Sequence, residues 1–127
     1  MAAKFYKGIR TLYGGVWFRS RLEASWATYF DASGIRWKYE PQTFKLGDYG
    51  SYRPDFQISL NGRELFVEIK PRKKMVSLDQ WVRIHQFVKQ WRKALVMAYG
   101  KPGPGPFTLE EFSKPVGGVL LTVSKAF

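Results

Sequence analysis

The chain has 127 residues, no cysteine, and 21 lysines and arginines against 10 acidic residues, for a net charge of +11 at pH 7. The lack of cysteine excludes disulfides, thiolate catalysis and zinc–sulfur sites, and the lack of a long apolar run or a signal-peptide pattern argues against a membrane-spanning or secreted protein. The length predicts one domain, and the lack of cysteine fits a cytoplasmic protein. The positive charge predicts a polyanionic partner, with nucleic acid as the first choice and an anionic membrane as the second.

The first quarter of the chain predicts a small hairpin followed by a helix. Residues 1–18 are basic and aromatic, and Gly14-Gly15 favours a turn between strands at 9–12 and 16–18, with a mobile arm as the alternative. The helix is predicted from Ser20 to Ser33, because serine is a good N-cap and Gly34 suits the position after a helix end. Its apolar residues recur at the spacing of one buried stripe: Leu22, Trp26, Tyr29 and Phe30.

The middle of the chain predicts short strands at 35–39 and 44–46, a turn at 47–50, and a longer hairpin with strands at 52–59 and 64–70. Asn61-Gly62 indicates this hairpin, since a type I′ turn needs positive φ at both central residues. With the turn centred there, Asp55 lies opposite Glu68, and Lys70 shares their face. The other face is apolar, and it holds Phe56, Ile58, Leu65 and Val67.

The remaining residues predict a helix, two strands and a loop. Ser77 suits the N-cap of a helix from Leu78 to Arg92. Residues 94–99 favour a buried strand over a continuation of that helix, 100–116 form a Pro/Gly-rich loop, and 117–124 form a final strand. The order of elements predicts a single α/β domain with a mixed central β-sheet flanked by helices. The buried face of the second helix is predicted to consist of Leu78, Trp81, Val82, His85, Val88 and Trp91.

The position of Asp55 opposite Glu68 is the main indication of chemistry. Directly opposite residues have Cβ atoms roughly 4.5–5.5 Å apart, and like charges there destabilise a strand pair. A positive charge is therefore expected between them. Lys70 is one candidate, and a divalent cation is a better one, because Mg²⁺ is usually held by one or two carboxylates together with substrate phosphates. The alternative is an ordinary set of charged residues on a solvent-facing surface.

Two further residues have competing explanations. Glu23 lies three residues after Ser20, the spacing of a capping box in which its carboxylate accepts a hydrogen bond from the Ser20 amide. Alternatively, Glu23 is a third acid beside Asp55 and Glu68.

His85, the one histidine of the chain, lies on the apolar stripe of the second helix and is expected to be structural. One histidine supports neither a His-based metal site nor a Ser–His–Asp arrangement.

Positive residues surround these acids along the sequence, and Arg72-Lys73-Lys74 follow shortly after Lys70. Acids that hold a metal, ringed by cations, suit a phosphodiester, because the metal stabilises the attacking and leaving oxygens and the cations bind flanking phosphates. A glycosidase-like pair of carboxylates would explain neither Lys70 nor the net charge. The residues predicted to contact nucleic acid are Arg19, Arg21, Arg53, Arg72, Lys73 and Lys74.

Pro54-Asp55 followed by Glu68-Ile69-Lys70 resembles the motif of the PD-(D/E)xK nuclease superfamily. Residues 18–23 resemble the Phe-Arg-Ser-x-Leu-Glu helix start of phage endonuclease I, a Holliday-junction resolvase, and of related small phage nucleases. Residues 34–40 resemble the Gly-Ile-x-x-x-Tyr-Glu strand of the same group. The resemblance covers about residues 16–75, and the chain from Gly100 onward shows no pattern of the family.

The resemblance implies a restriction-endonuclease-like core and Mg²⁺ as cofactor, with Mn²⁺ able to substitute. It implies that Asp55 and Glu68 bind the metal, that the Ile69 carbonyl joins its shell, and that Lys70 orients or activates the attacking water. Glu23 would be the helix-borne acid of the site and a further ligand. The expected activity is hydrolysis of phosphodiesters in branched DNA by a protein of phage or mobile-element origin, acting in the host cytoplasm. Phage endonuclease I is an intertwined homodimer, and a homodimer would be compatible with the resemblance.

Three alternatives stay open. A nuclease that acts on single-stranded, nicked or end-containing DNA would use the same residues. A basic DNA-binding module without catalysis belongs to another class, and the presence of all four expected active-site residues argues against it. A membrane-surface protein is the weakest alternative, because no predicted helix pairs a basic face with a bare apolar one. These residues do not distinguish DNA from RNA.

Overall fold

A six-stranded sheet carries one helix on each of its faces in the computed structural model, which describes residues 8–103, 107–113 and 118–123. The elements, in chain order, are β1 (Thr11–Tyr13), β2 (Val16–Phe18), α1 (Arg21–Ala32), β3 (Arg36–Tyr39), β4 (Phe44–Lys45), β5 (Ser51–Tyr52), β6 (Phe56–Leu60), β7 (Arg63–Lys70), α2 (Leu78–Trp91), β8 (Leu95–Tyr99), β9 (Phe107–Phe112) and β10 (Gly118–Val123). They form the single small α/β domain that the sequence predicts.

The main sheet is mixed, with the strand order β10-β9-β8-β7-β6-β3. Strands β7 and β8 are parallel and are connected through α2, and the other neighbours are antiparallel. Helix α1 packs on the face that carries Phe56, Ile58 and Val67, and α2 packs on the face that carries Phe66 and Met97. Neither helix has the length and apolar character that crossing a bilayer would require, and this holds for the described ranges alone.

The hairpin of β6 and β7 has the predicted register. Asn61 and Gly62 have φ of 52° and 76°, and Phe56 pairs with Val67. The predicted strand from residue 52 to 59 is wrong at its start, because residues 53–55 separate β5 from β6. Pro54 has no N–H to donate to a ladder, which explains the break. Asp55 therefore lies just before the ladder rather than within it.

The first helix and the small hairpin before it are confirmed. Ser20 Oγ accepts a hydrogen bond from the Glu23 N–H at 3.1 Å, and Gly34, with φ of 72°, follows the helix end. Strands β1 and β2 pair around Gly14-Gly15, although β1 begins two residues later than predicted. The α1 stripe buries Trp26 and Phe30 completely against the sheet.

The predicted buried face of α2 is right for Val88, which is buried, and wrong for several of its other residues. Leu78 is 79% exposed, and Val82 and Trp91 are also exposed, whereas the buried residues of the helix are Ile84, Phe87 and Val88. The reason is tertiary: the Phe87 ring lies 4.8 Å from the Phe44 ring and 5.4 Å from the Phe66 ring, between centroids. This aromatic contact from β4 and β7 selects a face that the apolar spacing of the helix alone did not identify. His85 is half-buried beside Trp81 and Phe112 rather than in the core.

Part of the predicted loop at 100–116 is a strand. Residues 107–112 form β9, an interior strand between β8 and β10. Two adjacent acids, Glu110 and Glu111, interrupt the alternation that would have indicated a strand. Glu110 is nevertheless buried, because its carboxylate accepts hydrogen bonds from the Tyr99 hydroxyl at 2.8 Å and from Lys73 Nζ at 2.9 Å. The neighbouring strands β8 and β10 lie where the sequence predicts them.

Candidate active site

A cleft of about 560 Å³ opens at the C-terminal end of β7. The first turn of α1, the segments around β5 and Asp55, the end of β7 and one side of α2 form its walls. The lining includes all of the residues predicted to be catalytic or to bind metal, which are Glu23, Asp55, Glu68, Ile69 and Lys70. The fold therefore brings acids from α1, from the start of β6 and from β7 into one concave site.

Asp55 is the most deeply buried acid of the cleft, with 2% of its surface exposed. Its Oδ2 accepts a hydrogen bond from the Ile69 N–H at 2.8 Å, and its Oδ1 accepts one from Arg19 at 2.9 Å. Burial raises the pKa of Asp55 well above its usual value, and the charges of Glu68 and Glu23 raise it further, while Ile69 and Arg19 act in the opposite direction. The three acids are thus close enough to repel one another.

Glu68 is also buried, and it accepts a hydrogen bond from the Tyr52 hydroxyl at 2.7 Å. Burial raises the pKa of Glu68, and the Tyr52 hydrogen bond and the charge of Lys70 lower it. Lys70 Nζ lies 3.9 Å from Glu68 Oε2, so the lysine predicted to neutralise this acid is beside it. The opposing charge on Asp55 comes from Arg19 rather than from Lys70.

The Glu23 side chain faces the cleft rather than its own helix start. Its carboxylate accepts hydrogen bonds from the Tyr39 hydroxyl at 2.9 Å and from Arg19 Nη2 at 3.3 Å. Burial is the main cause that raises the pKa of Tyr39 to about 12, which keeps its hydroxyl protonated as a donor. The Ser20 hydroxyl alone caps the helix, by accepting from the Glu23 main chain. The capping-box explanation therefore does not account for the position of the Glu23 carboxylate.

A fourth acid, Glu40, was not assigned a role from the sequence, although it ends the Gly-Ile-x-x-x-Tyr-Glu segment. Its Oε2 lies 2.8 Å from Arg19 Nε and 3.5 Å from Arg53 Nη2. Glu40 has φ of 45°, a conformation that is costly for a residue with a side chain, and its N–H donates to the Asp55 carbonyl at 2.7 Å. This residue thus connects the end of β3 to the main chain of Asp55.

The predicted nucleic-acid contacts are distributed around the cleft. Arg19 and Arg53 line it, and the exposed residues Arg21, Arg72 and Lys74 flank it in sequence. Lys73 differs from its neighbours, because its ammonium group forms an ion pair with Glu110 at 2.9 Å. Arg83 of α2 also lines the cleft and adds a further cation that faces the acids.

The residues of the cleft fit a divalent cation with two carboxylates. Asp55 and Glu68 provide buried carboxylates that repel each other, and Mg²⁺ is commonly bound by one or two carboxylates, water and substrate phosphates. A preformed group of three or more His, Cys, Asp or Glu side chains at metal-binding distance is absent from the described part of the chain. One nitrogen of Arg19 binds both Glu23 and Asp55, so a positively charged group already lies between these two acids.

The raised pKa values predict how stability without metal depends on pH. A carboxyl whose folded-state pKa exceeds its unfolded value favours folding below the unfolded pKa, and that contribution is lost as pH rises through the folded pKa. For Asp55 the loss should begin near its usual value of 3.8 and continue above it. In urea titrations with EDTA, the free energy of unfolding should fall as pH rises above this value, and it should fall less for Asp55→Asn. Parallel pH profiles for the two proteins would contradict the prediction.

The chain was compared with known proteins at three levels. No family model, no curated protein and no solved structure matches it. A functional assignment therefore depends on the residues of the cleft, on their geometry and on the resemblance of short motifs.

Proposed function

We propose that the protein is a divalent-metal-dependent endonuclease that hydrolyses phosphodiester bonds in DNA, with branched DNA as its preferred substrate. The observation that carries the proposal is the convergence of Glu23, Asp55, Glu68 and Lys70 on one cleft. These are the four positions at which the sequence resembles the active site of PD-(D/E)xK nucleases. A mixed sheet with a helix on each face is compatible with a restriction-endonuclease-like core.

The resemblance to the nuclease motif suggests a role for each of these residues. Asp55, Glu68 and the Ile69 carbonyl would hold a Mg²⁺ ion, with Glu23 as a predicted further ligand. When bound, the ion would supply positive charge at the scissile phosphate and a water of lowered pKa. The Lys70 ammonium group, which is beside Glu68, would orient the attacking water and stabilise the negative charge that develops on the phosphate. Glu23 accepts a hydrogen bond from the Tyr39 hydroxyl, which would help to orient its carboxylate in the cleft.

Substrate binding would depend on the cations around the acids. The three carboxylates of the cleft would repel an approaching phosphate unless cations lay nearby. Arg53 and Arg83 line the cleft, and Arg72 and Lys74 are exposed beyond the end of β7. These four residues would bind the phosphates on either side of the scissile bond, and the net charge of +11 would attract the DNA over a longer range.

Incubation of the purified protein with a substrate panel tests the proposal. The panel comprises a four-way junction, a flap, nicked duplex, intact duplex, single-stranded DNA and RNA, each with Mg²⁺, Mn²⁺ or EDTA. We expect internal cleavage with either metal, fastest on the junction, and none with EDTA. Cleavage restricted to single strands, nicks or ends would replace the substrate assignment with the alternative one. If every substrate is bound but left intact, the protein is a DNA-binding module and not a nuclease.

A further inference from the structure

Arg19 lies at the centre of the acids of the cleft. Its Nε is 2.8 Å from Glu40 Oε2, and its Nη2 is 2.9 Å from Asp55 Oδ1 and 3.3 Å from Glu23 Oε2. The three acids are largely buried, whereas the Arg19 side chain is 61% exposed. One guanidinium group, reached from solvent, therefore neutralises acids from three different segments of the chain.

The position of Arg19 Nη2 bears directly on where a metal ion could bind. A single nitrogen that contacts both Glu23 and Asp55 occupies the space between their carboxylates, which a cation bridging the two acids would need. Burial disfavours the ionised form of a carboxyl, so a cation between these acids stabilises their ionised forms when no metal is bound.

Glu40 gives Arg19 an anchor that does not involve the predicted metal ligands. Its backbone is held by the hydrogen bond from its N–H to the Asp55 carbonyl, in a left-handed conformation. Its Oε2 is buried and makes no aligned hydrogen bond among the described residues, although Arg19 Nε is close, so the contact is an ion pair of imperfect geometry. Arg19 can therefore leave Asp55 and still keep one carboxylate partner at the edge of the cleft.

We propose that Arg19 is an internal counter-cation that a divalent metal ion must displace from Asp55. In the metal-free protein the guanidinium neutralises Glu23 and Asp55, and metal binding transfers these acids from Arg19 to the ion. Arg19 then stays paired with Glu40 at the edge of the cleft. The inference rests on the proposed function, because it takes this cleft to be the metal site.

Binding of Mn²⁺ in the absence of DNA tests the inference, by isothermal titration calorimetry at pH 8. Arg19→Met should bind Mn²⁺ about tenfold more tightly than the wild type, because the ion no longer competes with a guanidinium for a buried carboxylate. Arg21→Met is the matched control, since Arg21 is an exposed arginine of the same segment, and it should bind Mn²⁺ as the wild type does. Thermal unfolding gives a second readout: Arg19→Met should melt lower than the wild type in EDTA and gain more from added Mn²⁺. If Arg19→Met folds only when Mn²⁺ is present, that dependence supports the inference as well.

Two results would overturn it. Equal affinity for Mn²⁺ in Arg19→Met and the wild type would show that no competition exists, and weaker binding in the variant would show that Arg19 organises the ligands. Either result, together with metal-dependent cleavage by the wild type, would leave the proposed function intact. Failure of all three proteins to bind Mn²⁺ would contradict the inference and the proposed function together.

Discussion

Asp55→Asn should abolish metal-dependent cleavage and leave DNA binding unchanged or tighter. Asp55 is the most buried acid of the cleft, and its carboxylate faces Arg19 and the Ile69 amide. Its removal takes away a metal ligand, and with it the means of positioning the water and the scissile phosphate. We expect the cleavage rate to fall on the order of a thousandfold or more. Binding should hold or improve, because an acid that faces the phosphate is lost while the positive field of the protein remains.

Junction cleavage under single-turnover conditions measures the first effect, and a gel-shift assay with Ca²⁺ measures the second. Lys70→Ala should also stop cleavage and weaken binding only slightly, since it removes one cation of 21. Lys93→Ala is a suitable control, because Lys93 forms its ion pair with Glu64, far along β7 from Lys70, and it should cleave normally. If the Asp55→Asn variant cleaved at the wild-type rate, Asp55 would have no part in the proposed mechanism.

Glu23→Gln should abolish most cleavage with little effect on stability. The helix cap depends on the Ser20 hydroxyl and the Glu23 main chain, neither of which the substitution changes. A glutamine carbonyl can still accept the hydrogen bond from Tyr39, but it has no charge with which to bind a metal or accept a proton. We expect a loss of cleavage on the order of a hundredfold or more, within the range for a removed acid–base group. The free energy of unfolding should change little, because the helix cap and the hydrogen bond from Tyr39 are kept.

Ser77→Ala supplies the opposite control. It removes the N-cap of α2, whose capping box is formed with Gln80, and should lower the free energy of unfolding by about 1 kcal/mol without affecting cleavage. The two variants together separate stability from catalysis when urea titration and junction cleavage are measured on the same preparations. Should Glu23→Gln lose stability and retain activity, Glu23 would have a structural role only.

Local chemistry made much of the architecture predictable. Asn61-Gly62 determines a turn within four residues, and the register of β6 and β7 follows from it, because strand partners are counted outward from the turn. Ser20 and Ser77 likewise mark helix starts, since a cap satisfies main-chain groups within three residues of itself. These features depend on atoms that are close in sequence.

The predictions of secondary structure and burial were wrong where contacts between residues distant in sequence determine the structure. The buried face of α2 depends on Phe44 and Phe66, which belong to other elements. Strand β9 has a weak local pattern, and its place between two strands stabilises it, with Glu110 satisfied by Tyr99 and Lys73. Neither burial nor pairing of this kind can be read from a short segment, because the favourable free energy arises between segments.

The same distinction between local features and tertiary contacts applies to the candidate site. The sequence by itself determined that Asp55, Glu68 and Lys70 lie on one side of a hairpin, because strand periodicity and a turn are local. Only the tertiary structure decided that Glu23 turns its carboxylate to the same cleft and that Arg19 lies among the acids with Glu40 behind it. Those positions result from packing α1 against the sheet and from pairing β3 with β6, which bring Glu23, Arg19 and Glu40 to Asp55 from segments outside the hairpin.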